Sequence, residues 1–299
     1  MMKRIFVVGA SRSGTTVVQR VLSERLNLYS LPETAFFMEE LGSASRRLSA
    51  LTRLYRSVCA AQLKPKGQLG VHVSHFALVP AFLRHSGLWG TTRAIVNSPR
   101  EAASIFSHVL SKMAQSYQCV GWLEKTPLHC MHIPHIRNMM QPDGFVFVLR
   151  NGPDTTASIR DRAIKYTEQF GWQAGPQRCV NIWNSAVDVA AHELGANDIY
   201  FISYEKFVNA PDAAARAVGD HFGVTVDTVP AQAKATRAHH TLAEEQWKAN
   251  ASGVIQPQKS KWNEVFSEDE RAFILSRLDE TRYRAILDSV RHGHSLGFT

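Results

Sequence analysis

The segment KRIFVVGASRSGTTVVQRVL, Lys3 to Leu22, constrains the fold more than any other stretch of the chain. Ile5 to Val8 form a short apolar run ending at Gly9, and Val17, Val18, Val21, Leu22 and Leu26 then recur at helical spacing. A strand, a glycine-bearing loop and a helix in that order make an anion cradle. The dipole of the helix and the unpaired N–H groups of its first turn both favour negative charge. Gly9 and Gly14 keep the spacing of a G-x-x-x-x-G-K-[ST] loop, but Thr15 stands where a nucleotide triphosphatase carries lysine.

Three more segments read as strands: CVGWLEK, which runs into Thr126 and Pro127, GFVFVLR after the turn QPDG, and DIYFISYE. GFVFVLR is apolar on both faces, as a buried parallel strand should be. Helices are predicted over Ser43 to Leu63, after Ser98 and Pro99, after NGPD, and over Gln177 to Leu194. PDAAARAVGDHFG gives another, closed by Gly223, and the last opens at Ser267 with Glu270 three residues on, a capping box. Strands alternating with helices predict an α/β fold of three layers, P-loop-like, with a central parallel β-sheet flanked by helices. Ligands then bind beyond the carboxyl ends of the strands. With no internal repeat and no linker, residues 1–299 are expected to form a single domain.

A hydrophobic fraction of 44% and a charged fraction of 20% suit a globular chain with a full core. The formal charge of +8 suits an anionic ligand, but the basic residues are scattered, which disfavours nucleic acid as a partner. Cys59, Cys119, Cys130 and Cys179 lie far apart with no C-x-x-C pair, and HCMHIPH, holding His129, His132 and His135, is broken by Pro134, so no metal site is expected. Ile5 to Val8 is too short for a signal-peptide core and no run reaches the length of a membrane span, so a cytoplasmic location is expected.

The end of GFVFVLR sharpens the chemistry. Nucleotide triphosphatases commonly place an aspartate at such a strand end to hold Mg²⁺ for phosphoryl transfer, whereas this strand ends in the cation Arg150. A transferred group of low charge fits that exchange. A sulfuryl group moves as near-neutral SO₃, and fixed cations and amides can stabilise its transfer without a metal.

ASRSGTTVVQRVL and LRNGPDTTASIRDRA together resemble the two nucleotide-binding motifs of sulfotransferases that use 3′-phosphoadenosine 5′-phosphosulfate (PAPS). The likeness is strongest to the bacterial and tyrosylprotein branches and runs from the first strand to SKW at Lys261. It implies that Ser11, Arg12, Ser13, Gly14, Thr15 and Thr16 wrap the 5′-phosphosulfate. Arg150 and Ser158 would bind the 3′-phosphate, with Arg162 one helical turn beyond Ser158. The family's R-N-P-x-D here carries an extra Gly152 before Pro153, which leaves Asp154 and Ser158 in register with Arg150. SYEKF resembles the family's Y-E-D-L and makes Tyr204 a cofactor contact and Glu205 structural, while SKW nominates Lys261 and, with it, Ser252.

The same resemblance implies the catalytic set. Glu33 in SLPETAFF is the general base, and Arg12 and Lys125, in WLEKTP, are the cations at the leaving oxygen and the sulfuryl group. Phe36, Phe37, His72, His75 and His129 are the candidate acceptor contacts, the histidines also being alternative bases. Residues 34–97 and 165–177 are expected as irregular segments around an acceptor that is a small molecule, glycan or peptide. The rival readings are a P-loop kinase, disfavoured by the missing lysine and by Arg150, and a nucleotide- or polyanion-binding protein without activity, disfavoured by Arg12, Glu33 and Lys125.

Overall fold

The computed structural model describes residues 2–38, 98–225, 255 and 257–292, and several positions of a helical segment between 46 and 54. His72, His75 and Ser252 lie outside the described residues, as does most of the segment 34–97.

In chain order the elements are β1 (Lys3–Gly9), α1 (Thr15–Arg25), β2 (Leu28–Ser30), α2 (Pro99–Ser116), β3 (Gly121–Lys125), a 3₁₀ turn (Pro127–His132) and α3 (Ile133–Met140). There follow β4 (Gly144–Leu149), α4 (Gly152–Lys165), the short α5 (Thr167–Phe170), a second 3₁₀ turn (Gly171–Gln173) and α6 (Pro176–His192). The chain continues through β5 (Ile199–Ser203), α7 (Tyr204–Phe207), α8 (Pro211–Phe222), α9 (Trp262–Val265), α10 (Glu268–Arg277) and α11 (Glu280–His292). The predicted strands and the helix caps agree with this order. Gly223 ends α8 in the left-handed conformation at φ 62°, and Ser267 and Glu270 close both halves of the capping box on α10.

The five strands are all parallel, in the order β2-β3-β1-β4-β5. Because side chains alternate across a strand, β1 feeds two cores. Phe6 and Val8 pack with Phe106, Trp122, Phe145 and Trp183 on one face of the sheet; Ile5 and Val7 pack with Val18, Leu22, Val146 and Val218 on the other. Helices α2, α3 and α6 cover the first face and α1 and α8 the second, which is the three-layer arrangement read from the sequence.

Connections run from β1 toward β2 and β3 on one side and to β4 and β5 on the other, so β1 sits at the switch point where open α/β sheets form a crevice. The strand ends there release Gly9, Lys125, Leu149 and Ser203 side by side. Two local differences from expectation lie near this edge. β2, three residues long, is an edge strand that its short LYS run does not announce. The stretch 165–177, expected as irregular, is mostly wound into α5 and its 3₁₀ turn. No helix among the described residues is long and apolar enough to cross a membrane.

Candidate active site

The loop between β1 and α1 turns by placing Gly9 at φ 147°, Arg12 at φ 72° and Gly14 at φ 96°. At Gly9 a Cβ would lie 2.5 Å from the carbonyl oxygen of Val148, so the approach of β1 to β4 requires glycine. A left-handed conformation at a non-glycine residue such as Arg12 is costly and clusters at functional sites. The Ser13 hydroxyl donates to the Ala10 carbonyl at 2.8 Å and is buried, so this residue braces the loop from inside. An α-helix leaves its earliest amides without an acceptor of its own; here the Val17 and Val18 amides bond the Gly14 carbonyl at 3.0 and 3.2 Å, and Thr15 and Thr16 ahead of them line the crevice.

A cavity of about 400 Å³ opens over that helix end. Ser11, Arg12, Gly14, Thr15 and Thr16 line its floor. Arg150, Asp154, Ser158 and Arg162, from the end of β4 and from α4, line one wall, and Tyr204 begins α7 beside them. Glu33, Ala35, Met38, Thr126 and Leu128 form the opposite wall, and Gln258 to Lys261 border the opening.

Three arginine side chains, Arg12, Arg150 and Arg162, meet there. The Arg12 Nε donates to the Ser158 hydroxyl at 3.2 Å, and Arg150 donates from Nη1 to the carbonyl of Arg12 at 3.3 Å. The Arg150 guanidinium lies 4.6 Å from the centroid of Tyr204, and Trp183 Nε1 fixes the Arg150 carbonyl at 2.9 Å. Arg162 sits over the Phe170 ring at 4.1 Å and donates to Gln173 Oε1 at 2.5 Å. Burial, then the charge of Arg150, pushes the Arg12 pKa down, while Asp161 and Glu33 pull the other way. Burial and the nearby Arg12 bring Arg162 down to about 10. Clustered, partly desolvated cations of this kind favour an anionic guest.

The extra Gly152 becomes the first residue of α4, where a Cβ would lie 2.7 Å from Leu278 Cδ1. Asn151 caps that helix by accepting from the Asp154 amide at 2.9 Å, and Glu205 holds Asn151 through its amide and side chain at 2.9 and 2.8 Å. Glu205 is therefore structural, as the sequence reading had it, and the insertion leaves Arg150 and Ser158 on one wall.

Glu33 follows β2 and Lys125 ends β3. Lys125 Nζ donates to Glu33 Oε1 at 2.5 Å, with the lysine side chain fully buried and the glutamate 28% exposed, so the carboxylate fronts the cavity and the ammonium stands behind it. Lys261 lines the opening and is paired with Asp161 at 2.5 Å.

Three candidate acceptor contacts face elsewhere. Phe36 and Phe37 are fully buried in the aromatic cluster with Phe6 and Phe106. His129 is fully buried too; its Nδ1 meets Glu124 Oε2 at 2.9 Å and its Nε2 accepts from the Phe37 amide at 3.1 Å. With both ring nitrogens engaged in the core, His129 neither lines the cavity nor is placed to take a proton from an acceptor, which corrects its nomination as acceptor contact and alternative base. Sequence reasoning missed Gln258 on the cavity wall and Asp161 and Glu124 behind it, and it left Asp154 and Gln173, which also line the wall, without a role. Glu124 carried one signal: a carboxylate inside a strand whose every residue is buried.

Residues 4–228 match the profile of the sulfotransferase family. Among solved structures, the sulfotransferase domain from the Synechococcus PCC 7002 olefin synthase superposes with a TM-score of 0.57 at 16% identity, covering 92% of this chain and 95% of that one. The sulfotransferase domain from the curacin biosynthetic pathway gives 0.51 at 15% identity, covering 92% and 97%. At these identities the likeness is one of fold. No curated protein sequence matches the chain.

Proposed function

The chain belongs to the sulfotransferase family, and on that premise we propose that it transfers a sulfuryl group from PAPS to a hydroxyl or amine of a small-molecule, glycan or peptide acceptor. The observation that carries this reading is the meeting, in one cavity, of the α1 N-terminus, the Arg150 and Ser158 wall and the Glu33 carboxylate, with Lys125 paired to it from behind.

The residues present fit such a donor. Arg150 Nε is buried without a hydrogen-bond partner among the described residues, and Thr15 and Thr16, whose amides begin α1, line the cavity floor. Ser11 to Thr16 would hold the 5′-phosphosulfate, and Arg150, Ser158 and Arg162 the 3′-phosphate, with Tyr204 and Lys261 beside the nucleotide. Bound there, PAPS supplies a sulfuryl group joined to a phosphate that leaves with the bond electrons.

Glu33 accepts the proton that the acceptor gives up as its oxygen or nitrogen bonds to sulfur. Arg12 and Lys125 offset the charge that grows on the departing phosphate oxygen and on the sulfuryl oxygens. Because Lys125 is fully buried, its charge acts through little screening solvent. The proton ends on Glu33, the sulfuryl group on the acceptor, and adenosine 3′,5′-bisphosphate is released.

The test is turnover of ³⁵S-labelled PAPS with a fixed mixture of phenol, primary-alcohol and amino-sugar acceptors. Wild type is expected to label an acceptor and release the bisphosphate. Glu33→Gln is expected to bind the bisphosphate as wild type does while turning over about a hundredfold more slowly. Full turnover by Glu33→Gln would remove the base from this residue.

A further inference from the structure

Glu124 is a fully buried carboxylate on β3, next to Lys125. Its neighbours are arranged in three short relays. The Thr126 hydroxyl donates to Glu124 Oε1 at 2.7 Å and accepts the Ala35 amide at 3.1 Å. The Thr34 hydroxyl donates to the same oxygen at 2.8 Å and accepts the Phe36 amide at 3.2 Å. His129 Nδ1 meets Glu124 Oε2 at 2.9 Å, and its Nε2 accepts the Phe37 amide at 3.1 Å.

Three successive amides, beginning two residues after Glu33, are thus each held by a group that Glu124 orients. The backbone there needs holding: Ala35 sits at φ 49°, a left-handed conformation that is unfavourable for a non-glycine residue. Removing a charge from water is expensive, and apolar packing of the same volume often stabilises a core as well or better. Stability alone is therefore a weak reason for a carboxylate at this position.

We propose that Glu124, through Thr34, Thr126 and His129, is the positioning residue that sets Glu33 against Lys125. The proposal rests on Glu33 being the base. Lys125 and Glu124 are consecutive on β3 and point to opposite faces of the sheet, so one strand end supplies both the cation that pairs with Glu33 and the anchor of the loop that carries it.

The relays also fix the histidine. Since Nε2 accepts the Phe37 amide, Nδ1 carries the proton and donates to Glu124. A glutamine at 124 cannot replace this. With its carbonyl toward the two threonines, its amide NH₂ meets the Nδ1–H, and the other histidine tautomer then points Nε2–H at the Phe37 N–H. One link breaks in either tautomer.

The test combines amide exchange with kinetics. In Glu124→Gln the amides of Ala35, Phe36 and Phe37 are expected to exchange at least about tenfold faster than in wild type, with the 9–16 loop unchanged. Turnover of labelled PAPS with the acceptor mixture is expected to fall at least about tenfold, while the affinity for adenosine 3′,5′-bisphosphate stays within about twofold. Because Glu124 acts through Glu33, the double variant Glu33→Gln/Glu124→Gln is expected to be no slower than Glu33→Gln alone.

Should Glu124→Gln not fold, Thr126→Val carries the same comparison, with Thr126→Ser restoring the rate. Wild-type amide protection in Glu124→Gln, multiplied losses in the double variant, or a parallel collapse of bisphosphate affinity overturns the proposal. Full turnover by Glu33→Gln refutes the base assignment instead, and with it the clamp's catalytic purpose, so the two failures are told apart.

Discussion

Replacing Gly14 by alanine tests the loop geometry with the least chemistry. The added Cβ would stand 2.2 Å from Tyr204 Cδ2 and 2.3 Å from Cε2, on a backbone at φ 96°. Carbon atoms pack at about 3.5 Å or more, so the ring must retreat by about 1.3 Å. It cannot do so alone, because Tyr204 is buried and the Arg150 guanidinium lies over it at 4.6 Å. The left-handed backbone costs alanine about 1–2 kcal/mol and overpacking adds about 1–3, for a total of about 2–5 kcal/mol. For a chain of this size that lowers Tm by about 3–8 °C, read by scanning calorimetry. Moving Arg150 is also expected to weaken adenosine 3′,5′-bisphosphate binding by about tenfold or more, the worth of a charge-assisted hydrogen bond. In Gly14→Ala/Tyr204→Ala the clash is gone, so the double loses less than the sum of the singles by about 1–3 kcal/mol. A Tm within about 2 °C of wild type, with unchanged affinity, would refute the reasoning.

Two further outcomes are expected. Arg150→Ala should weaken the bisphosphate about tenfold or more and leave AMP binding unchanged, by titration calorimetry, because Arg150 is assigned to the 3′-phosphate alone; an equal loss for both nucleotides contradicts that assignment. Burial raises the Cys130 thiol to about 12 and Cys179 to about 11, above the ordinary thiol value of 9.0. Raised folded-state values mean that the native protein keeps protons the unfolded chain has released, so this stability is intact below about pH 9 and is lost as pH climbs toward the folded values. Tm should hold from neutral pH to about 8.5 and fall beyond it, and neither thiol should react with iodoacetamide before unfolding; a flat Tm to about pH 10.5 would contradict it.

The half of the cavity built on the β1–α1 loop and the end of β4 was legible because its signals are local. Gly9, Gly14 and the apolar run before them announce the loop, and FVFVL followed by a cation announces Arg150 at a strand end. The helix caps at Gly223 and Ser267 are equally local, each resting on one residue or a pair three apart. His129 was not legible in this sense. Its role depends on Glu124 and on an amide from residue 37, which only the tertiary fold brings together. A histidine two residues after KTP reads the same whether it faces a ligand or a buried carboxylate. Phe36 and Phe37 misled for a related reason: beside a candidate base, aromatics suit a pocket wall and a core equally, and packing against Phe6 and Phe106 decides between them. The short β2 escaped because three residues cannot show alternation, and its assignment comes from pairing with β3.

The most direct test of the account is calorimetric titration of adenosine 3′,5′-bisphosphate into the purified protein with EDTA present, beside AMP. The account predicts micromolar binding of the bisphosphate that AMP does not match, because Arg150 and Ser158 read the second phosphate without a metal. Equal binding of the two nucleotides, or none of either, would contradict the assignment of this cavity to PAPS.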